Sequence, residues 1–192
     1  MLGCRVTDEP VTTQLNKEGP MATKTAATKT VATKTATSKT AKVKPIPDGY
    51  HSATPYLIVD GAARAIDYYK RAFGAKELMR IPAPNDRIGH AEIKIGDSVI
   101  MLADEHPEMD ARGPKHFGGS PISIMIYLED VDKQFKQAIA AGGTEVRPVT
   151  DQFYGDRSGT LKDPFGHSWH LSTHKEDVSM EELARRMAAL KK

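Results

Sequence analysis

Two stretches of this chain place an imidazole where it could do chemistry. In Gly89-His90-Ala91-Glu92-Ile93 a histidine and a glutamate stand two residues apart, and in Ser168-Trp169-His170-Leu171-Ser172 a second histidine alternates with apolar neighbours. Residues two apart share one face of a strand. His90 and Glu92 would then be neighbours on one face, and His170 would lie between Ser168 and Ser172. An imidazole beside a carboxylate can act as a general base. The same donors suit a divalent ion such as Zn, Ni, Mn or Fe. His170, His90 and Glu92 are therefore the candidate catalytic residues and the candidate metal set. The competing reading is that they are partly exposed sheet residues with no chemical role.

A second constellation is Asp151-Gln152-Phe153-Tyr154-Gly155-Asp156-Arg157. Arg157 could clasp a carboxylate or phosphate bidentately, with Tyr154 stacked on the ligand. Equally, Asp156 and Arg157 could be a turn pair with Tyr154 as an anchor. The acidic run Asp104 to Asp110 reads as a solvated linker, because its prolines and alternation do not converge the carboxylates. There is no Gly-x-Gly-x-x-Gly and no Walker A string, and Phe117-Gly118-Gly119-Ser120 reads as a flexible joint. A single cysteine, Cys4, excludes an intramolecular disulfide framework and a multi-Cys zinc site. It fits a reducing compartment, and a cytoplasmic location is the expectation.

The elements that must position these groups follow from periodicity. Thr54 to Asp60 is a short apolar run, so a strand. Ala62 to Phe73 places Ala65, Ile66, Tyr69 and Phe73 at helical spacing, with Gly74 as the stop. Glu77–Ile81, Ile88–Ile95 and Ser98–Ala103 read as strands, turned by Asn85-Asp86 and Gly96-Asp97. The order then repeats. Ile122–Leu128 is a strand, a helix runs from Asp130 to about Ala141 with Gly142-Gly143 after it, and Thr144–Pro148, Arg157–Lys162 and His167–Ser172 are strands. Two βαβββ modules are the simplest parse, about 50–105 and 117–174 within a domain of 50–175. Residues 176–192 carry a C-terminal helix, opened by the capping box Ser179-Met180-Glu181-Glu182.

Ahead of the domain, residues 1–49 form a Lys/Thr/Ala-rich tail in which ATKT recurs with lysines every five residues. That spacing fits neither helix nor strand, and the apolar bulk is too small to offset ordering, so the tail is expected to be disordered. It holds eight of the 27 Lys+Arg and four of the 25 Asp+Glu, which makes the tail +4 and the remainder −2. The tail reads first as a solvating extension, with Met21 as an alternative translation start. A transit peptide and a weak Lys-rich arm for nucleic acid are the other readings. The body is not a nucleic-acid binder by charge. No run reaches the roughly 20 apolar residues of a membrane span, and the start lacks the apolar core of a signal peptide.

The doubled pattern resembles the vicinal oxygen chelate superfamily of glyoxalase I, extradiol dioxygenases and bleomycin-resistance proteins, and its PhnB-like branch in particular. The strings that carry the resemblance are Pro55-Tyr56-Leu57-Ile58-Val59-Asp60, Ala65 to Gly74, Gly89-His90-Ala91-Glu92-Ile93, Ser98 to Glu105 and Asp163-Pro164-Phe165-Gly166-His167-Ser168-Trp169. It implies an α+β fold: two βαβββ modules forming curled mixed sheets around a cavity, with helices outside, and a homodimer. In metal-dependent members four ligands stand on the first and fourth strands of each module. By register those positions fall here on Thr54, Met101, Ser123 and His170. Only His170 is a good donor, since hydroxyls and a thioether suit these ions poorly.

Alternation adds a lining. Trp169 and Leu171 would face the helices and Ile122, Ile124 and Ile126 the core, leaving Ser123, Met125 and Tyr127 beside His170 on the cavity side. The expected ligand-binding residues are Thr54, Tyr56, Met101, Ser123, Tyr127, Tyr154, Arg157 and His170. Such a mixture suits a small organic molecule held by a few polar groups between apolar walls. The expectation is thus a glyoxalase- or bleomycin-resistance-like binder with no tightly bound catalytic metal. The alternative is a lyase, isomerase or dioxygenase using a divalent metal at a rearranged site of His170, His90 and Glu92.

Overall fold

The computed structural model describes residues 43–190; the ATKT repeats, Met21 and Cys4 lie outside them. The chain builds β1 (Tyr56–Val59), α1 (Ala62–Phe73), β2 (Lys76–Ala83), β3 (Arg87–Ile95) and β4 (Ser98–Asp104). It then repeats the order with β5 (Ser123–Tyr127), α2 (Val131–Ala140), β6 (Thr144–Asp151), β7 (Asp156–Lys162) and β8 (Ser168–His174), and ends in α3 (Met180–Ala189). The strands form two sheets, ordered β1-β4-β3-β2 and β5-β8-β7-β6. In each, the first and last strands of the module run parallel and the other pairs antiparallel. This is the α+β architecture of paired βαβββ modules.

Helix α1 forms because its apolar stripe, Ala62, Ala65, Ile66, Tyr69 and Phe73, is buried against its own sheet and against α2. Gly74, at φ 66°, ends it as the sequence indicates. Its start is fixed from outside the helix. Asp104 Oδ1 accepts the amides of Gly61 (2.9 Å) and Ala62 (2.8 Å), and Oδ2 accepts that of Ile88 at 2.7 Å. Asp104 is therefore a buried capping carboxylate at the end of β4 and does not belong to a solvated acidic linker. A carboxylate suits this place because the helix N-terminus carries unpaired amides and partial positive charge.

The modules meet through α1 and α2 and an aromatic cluster. The Trp169 ring lies 5.3 Å from Tyr69 and 4.7 Å from Phe73, centroid to centroid, and all three are buried. Burying each such ring contributes about 1.5–3 kcal/mol. Ala91, Ile93, Leu102, Leu161, Trp169 and Leu171 supply the helix-facing sides of the sheets. Ile124 and Ile126 pack on this core as alternation predicts, but Ile122 is 67% exposed. It precedes β5, its carbonyl accepting from Ser120 Oγ at 2.7 Å, and it lines a cavity instead of the core.

Order begins ahead of Tyr50, the first residue expected in the folded domain. Tyr50 N donates to Pro47 O (3.2 Å), Lys44 pairs with Asp48 (2.7 Å), and Pro45 to Ser52 lie over the first sheet beside Glu92 and Met101. At the other end, Ser179 Oγ accepts the amide of Glu182 at 3.2 Å, as the capping box requires. The Glu182 carboxylate pairs with Arg185 and Arg186.

Candidate functional site

Each sheet has a second face, turned away from the helices, on which register aligns the side chains. In the first module one cross-strand row runs Tyr56, Met101, Glu92, Met79. His90 lies beside Glu92 on the same face, because successive side chains alternate. Glu92 is 7% exposed and sits at the centre of a hydrogen-bonded chain. Tyr50 Oη bonds to Oε2, His90 Nε2 lies 3.3 Å from Oε1, and Tyr56 Oη lies 3.0 Å from His90 Nδ1. An ionised carboxylate only accepts, so Nε2 carries the proton toward Glu92 and Nδ1 accepts from the Tyr56 phenol. The order is Tyr56 O–H to His90, His90 N–H to Glu92, and Tyr50 O–H to Glu92.

This arrangement gives Tyr56 a base behind its hydroxyl. Burial holds the Tyr56 phenol above its ordinary value, and the bond to Glu92 raises Tyr50, so both remain protonated donors at neutral pH. Thr54 lies just ahead of β1, its hydroxyl 3.4 Å from His51 O, beside a cavity of about 390 Å³ that also touches Glu92 and Met101. The structure thus gathers Thr54, Tyr56, Met101, His90 and Glu92 on one face.

In the second module the corresponding row is Met125, His170, Thr160, Arg147. Thr160 Oγ1 lies 3.0 Å from His170 Nδ1. Ser123 opposes Ser168, and Tyr127 opposes Ser172. Tyr154 joins this face through Ser158 Oγ at 3.4 Å. Arg157 does not. Its register partner Thr173 is on the helix side, and its guanidinium is bidentate to Asp132 of α2 (2.7 and 2.8 Å) and reaches Asp151 at 3.1 Å. The ligand contact expected of Arg157 is corrected on this ground: alternation along β7 turns it toward the helix.

His170 is likewise separate from His90 and Glu92, since the two groups occupy different sheets. Among the described residues no three His, Cys, Asp or Glu side chains lie close enough to hold a metal ion. Met101 and Ser123 stand on the faces where register put them, and their thioether and hydroxyl remain poor donors for such ions. The residues at those four positions therefore do not suit such an ion, and among the described residues His170 does not come together with His90 and Glu92.

Two features escaped the sequence reading. Asp156 is a buried hub, 5% exposed, that accepts from Tyr127 Oη (3.3 Å), Ser172 Oγ (2.9 Å) and His174 Nδ1 (2.8 Å). Burial pushes its carboxyl up, but the three hydrogen bonds outweigh burial and hold it below the ordinary range. Continuing β8 by two residues would have put His174 in line with His170 and Ser172 and marked this cluster. The second feature is a cavity of about 660 Å³ beside β1, with Tyr56 and Ile58 on one wall, Phe117 and Ile122 of the linker on another, and Arg112 and His167 among the rest of its lining. No spacing announces it, because it joins a linker, a strand edge and a turn that are distant in sequence.

Residues 49–171 match the family described as the Glyoxalase/Bleomycin resistance protein/Dioxygenase superfamily. An uncharacterised protein of Mycobacterium bovis is 41% identical over 139 residues, which is 71% of this chain and 91% of that protein. The crystal structure of TioX from Micromonospora sp. ML1 superposes with a TM-score of 0.52 at 26% identity, covering 67% of this chain and all (100%) of that one. A PhnB protein from Bacillus cereus shares the fold with a TM-score of 0.50 at 19% identity, covering 64% of this chain and 99% of its own. No helix among the described residues is long and apolar enough to cross a membrane.

Proposed function

The chain belongs to the glyoxalase/bleomycin resistance protein/dioxygenase superfamily, and from that premise we propose that it binds a small organic molecule without a resident catalytic metal. One observation carries the reading: a cavity of 660 Å³ with mainly apolar walls is lined by Tyr56, the residue whose hydroxyl is bonded to His90 and through it to Glu92. That volume lies within the roughly 300–1,000 Å³ of small-molecule sites, which pair apolar walls with a few oriented polar groups. Arg112 and Ser120 supply polar groups in the wall, and the bond to His90 fixes the direction of the Tyr56 hydroxyl. His90 and Glu92 can also take the phenolic proton, so the same geometry would serve a base-assisted step on a bound ligand.

A second copy of the chain completes the site in this proposal. Tyr56, Met79 and Ile81 on the first face, and Met125 and Tyr127 on the second, are all more than a third exposed. Apolar side chains grouped on one face mark an interaction surface. Dimerisation recurs among members of the superfamily, and pairing the faces of two copies would bring His170 toward His90 and Glu92.

The test is a thermal-shift panel of small organic molecules on protein purified without added metal, with elemental analysis alongside. Binding predicts stabilisation of about 2.7 kcal/mol at 100 times the dissociation constant, unchanged by chelator and weakened in Tyr56→Phe. A near-stoichiometric divalent ion lost in His170→Ala would instead establish the metal-dependent enzyme.

A further inference from the structure

The cavity beside β1 carries a chemical signature that narrows its occupant. None of the described residues lining it is acidic, while Arg112 and His167 are both present. Arg112 is only loosely held: among the described residues its guanidinium meets one carboxylate, the exposed Asp110, at 3.4 Å. A planar fork with most of its donors free, at the edge of an apolar cavity, is suited to bidentate capture of a carboxylate.

His167, also in the wall, is held differently. It is 6% exposed, and its Nδ1 is buried with no hydrogen-bond partner. The nearest acid, Asp163, cannot supply one. Oδ2 already accepts Tyr69 Oη (2.7 Å) and Trp169 Nε1 (2.9 Å), Oδ1 accepts the amides of Phe165 and His167 (2.9 Å each), and Oδ2 stays 3.7 Å from the imidazole. Nδ1 is enclosed and turned toward Asp163, so His167 shapes the cavity wall while Arg112 is the group free to meet an anion.

Resting on the small-molecule reading above, we propose that this cavity takes an amphipathic organic carboxylate, its anionic end on Arg112 and its apolar body against Phe117 and Ile122. Phe117 and Ile122 are 65% and 67% exposed, so they present apolar area that no part of the described chain covers. Tyr56 and Ile58 then meet the ligand on the β1 wall.

The test compares matched pairs, benzoate with benzamide and octanoate with octanamide, by calorimetric titration of the full chain at constant ionic strength. The carboxylates are expected to bind at least about tenfold more tightly than the amides, and Arg112→Gln to abolish that preference while its melting temperature stays unchanged. Amides binding as well as the acids would overturn the anion assignment and leave the small-molecule reading standing. Carboxylate binding undiminished in Arg112→Gln would place the anion elsewhere and overturn it too. Failure of both series, with a neutral compound from the thermal panel still binding, would remove this inference alone; failure of every compound would remove both.

Discussion

The phenol of Tyr69, in the helix of the first module, donates a 2.7 Å hydrogen bond to Asp163 in the β7–β8 turn of the second. Asp163 is fully enclosed and collects four donors, so one carboxylate ties together α1, Trp169 and its own turn. Removing one of four donors to a charged acceptor costs about 1.5–3 kcal/mol. Tyr69→Phe should therefore lower stability by that order in urea denaturation. Asp163→Ala, which strands buried donors on both modules, should cost roughly 3–5 kcal/mol, the range for breaking a buried charged network. A double-mutant cycle with a coupling near zero would show that the modules do not communicate through this bond.

Asp163 also sets an acid limit. Burial alone would raise its carboxyl, but the hydrogen bonds it accepts, those of Trp169 and Tyr69 among them, outweigh burial and hold it below the ordinary value. A group depressed in the folded state contributes stability that is present above its unfolded value, about 3.9, and lost as pH falls through the folded one. The melting temperature should drop across this acid window. Asp163→Asn should start lower and lose less of its stability over the same pH range.

Much of this was legible beforehand, for a physical reason. The faces of α1, β3 and β8 are set by one-dimensional periodicity, so Ala91, Ile93, Trp169 and Leu171 fall into the core and His90, Glu92 and His170 outside it. Cross-strand rows are harder to read, since they need register. Glu92 beside Met101 follows from the strand assignments, but its bond to Tyr50 requires knowing that a proline-rich segment folds back over the sheet. Arg157 was ambiguous because a turn and a strand start differ there by one residue, and one residue reverses the face. Asp104 and Asp163 looked like linker and turn residues; what they cap is supplied by chain far away.

Arg157 yields a prediction that separates structure from binding. With Asp132 and Asp151 as its partners, its charge is locked on, and its bonds to Asp132 hold that carboxyl below its usual range. Arg157→Ala should loosen the α2–β7 contact, seen as faster amide exchange in the first turn of α2. Ligand titrations should be unaffected. Weaker binding with unchanged exchange would return Arg157 to the site.

At the far end of β8, His174 bonds Asp156 at 2.8 Å and Asp177 at 3.0 Å, and these two acids raise its imidazole above 6.5. A raised histidine contributes stability that is complete below the unfolded value and lost as pH rises through the folded one. An NMR titration should find His174 still protonated at pH values where a free imidazole is neutral. Asp156→Asn should bring it back toward 6.5, and no change would show that Asp156 does not hold it.

The direction of the bonds at Tyr56 is itself testable. Because the Glu92 carboxylate can only accept, His90 must carry its proton on Nε2 and accept from Tyr56 on Nδ1. Glu92→Gln keeps the shape but offers an amide that can donate. His90 can then shift to the Nδ1–H tautomer, which would turn the Tyr56 hydroxyl from donor to acceptor. Nitrogen-15 shifts of the ring should report the Nε2–H form in the native protein and a mixture or reversal in the variant. Tyr50→Phe breaks the other end of the chain and leaves Glu92 with His90 alone, so residues 45–52 should exchange their amides faster while the His90 tautomer stays as it was. If Tyr50→Phe shifted the tautomer and Glu92→Gln did not, Glu92 would not be the group that orients His90, and Tyr56 would have no fixed base behind it.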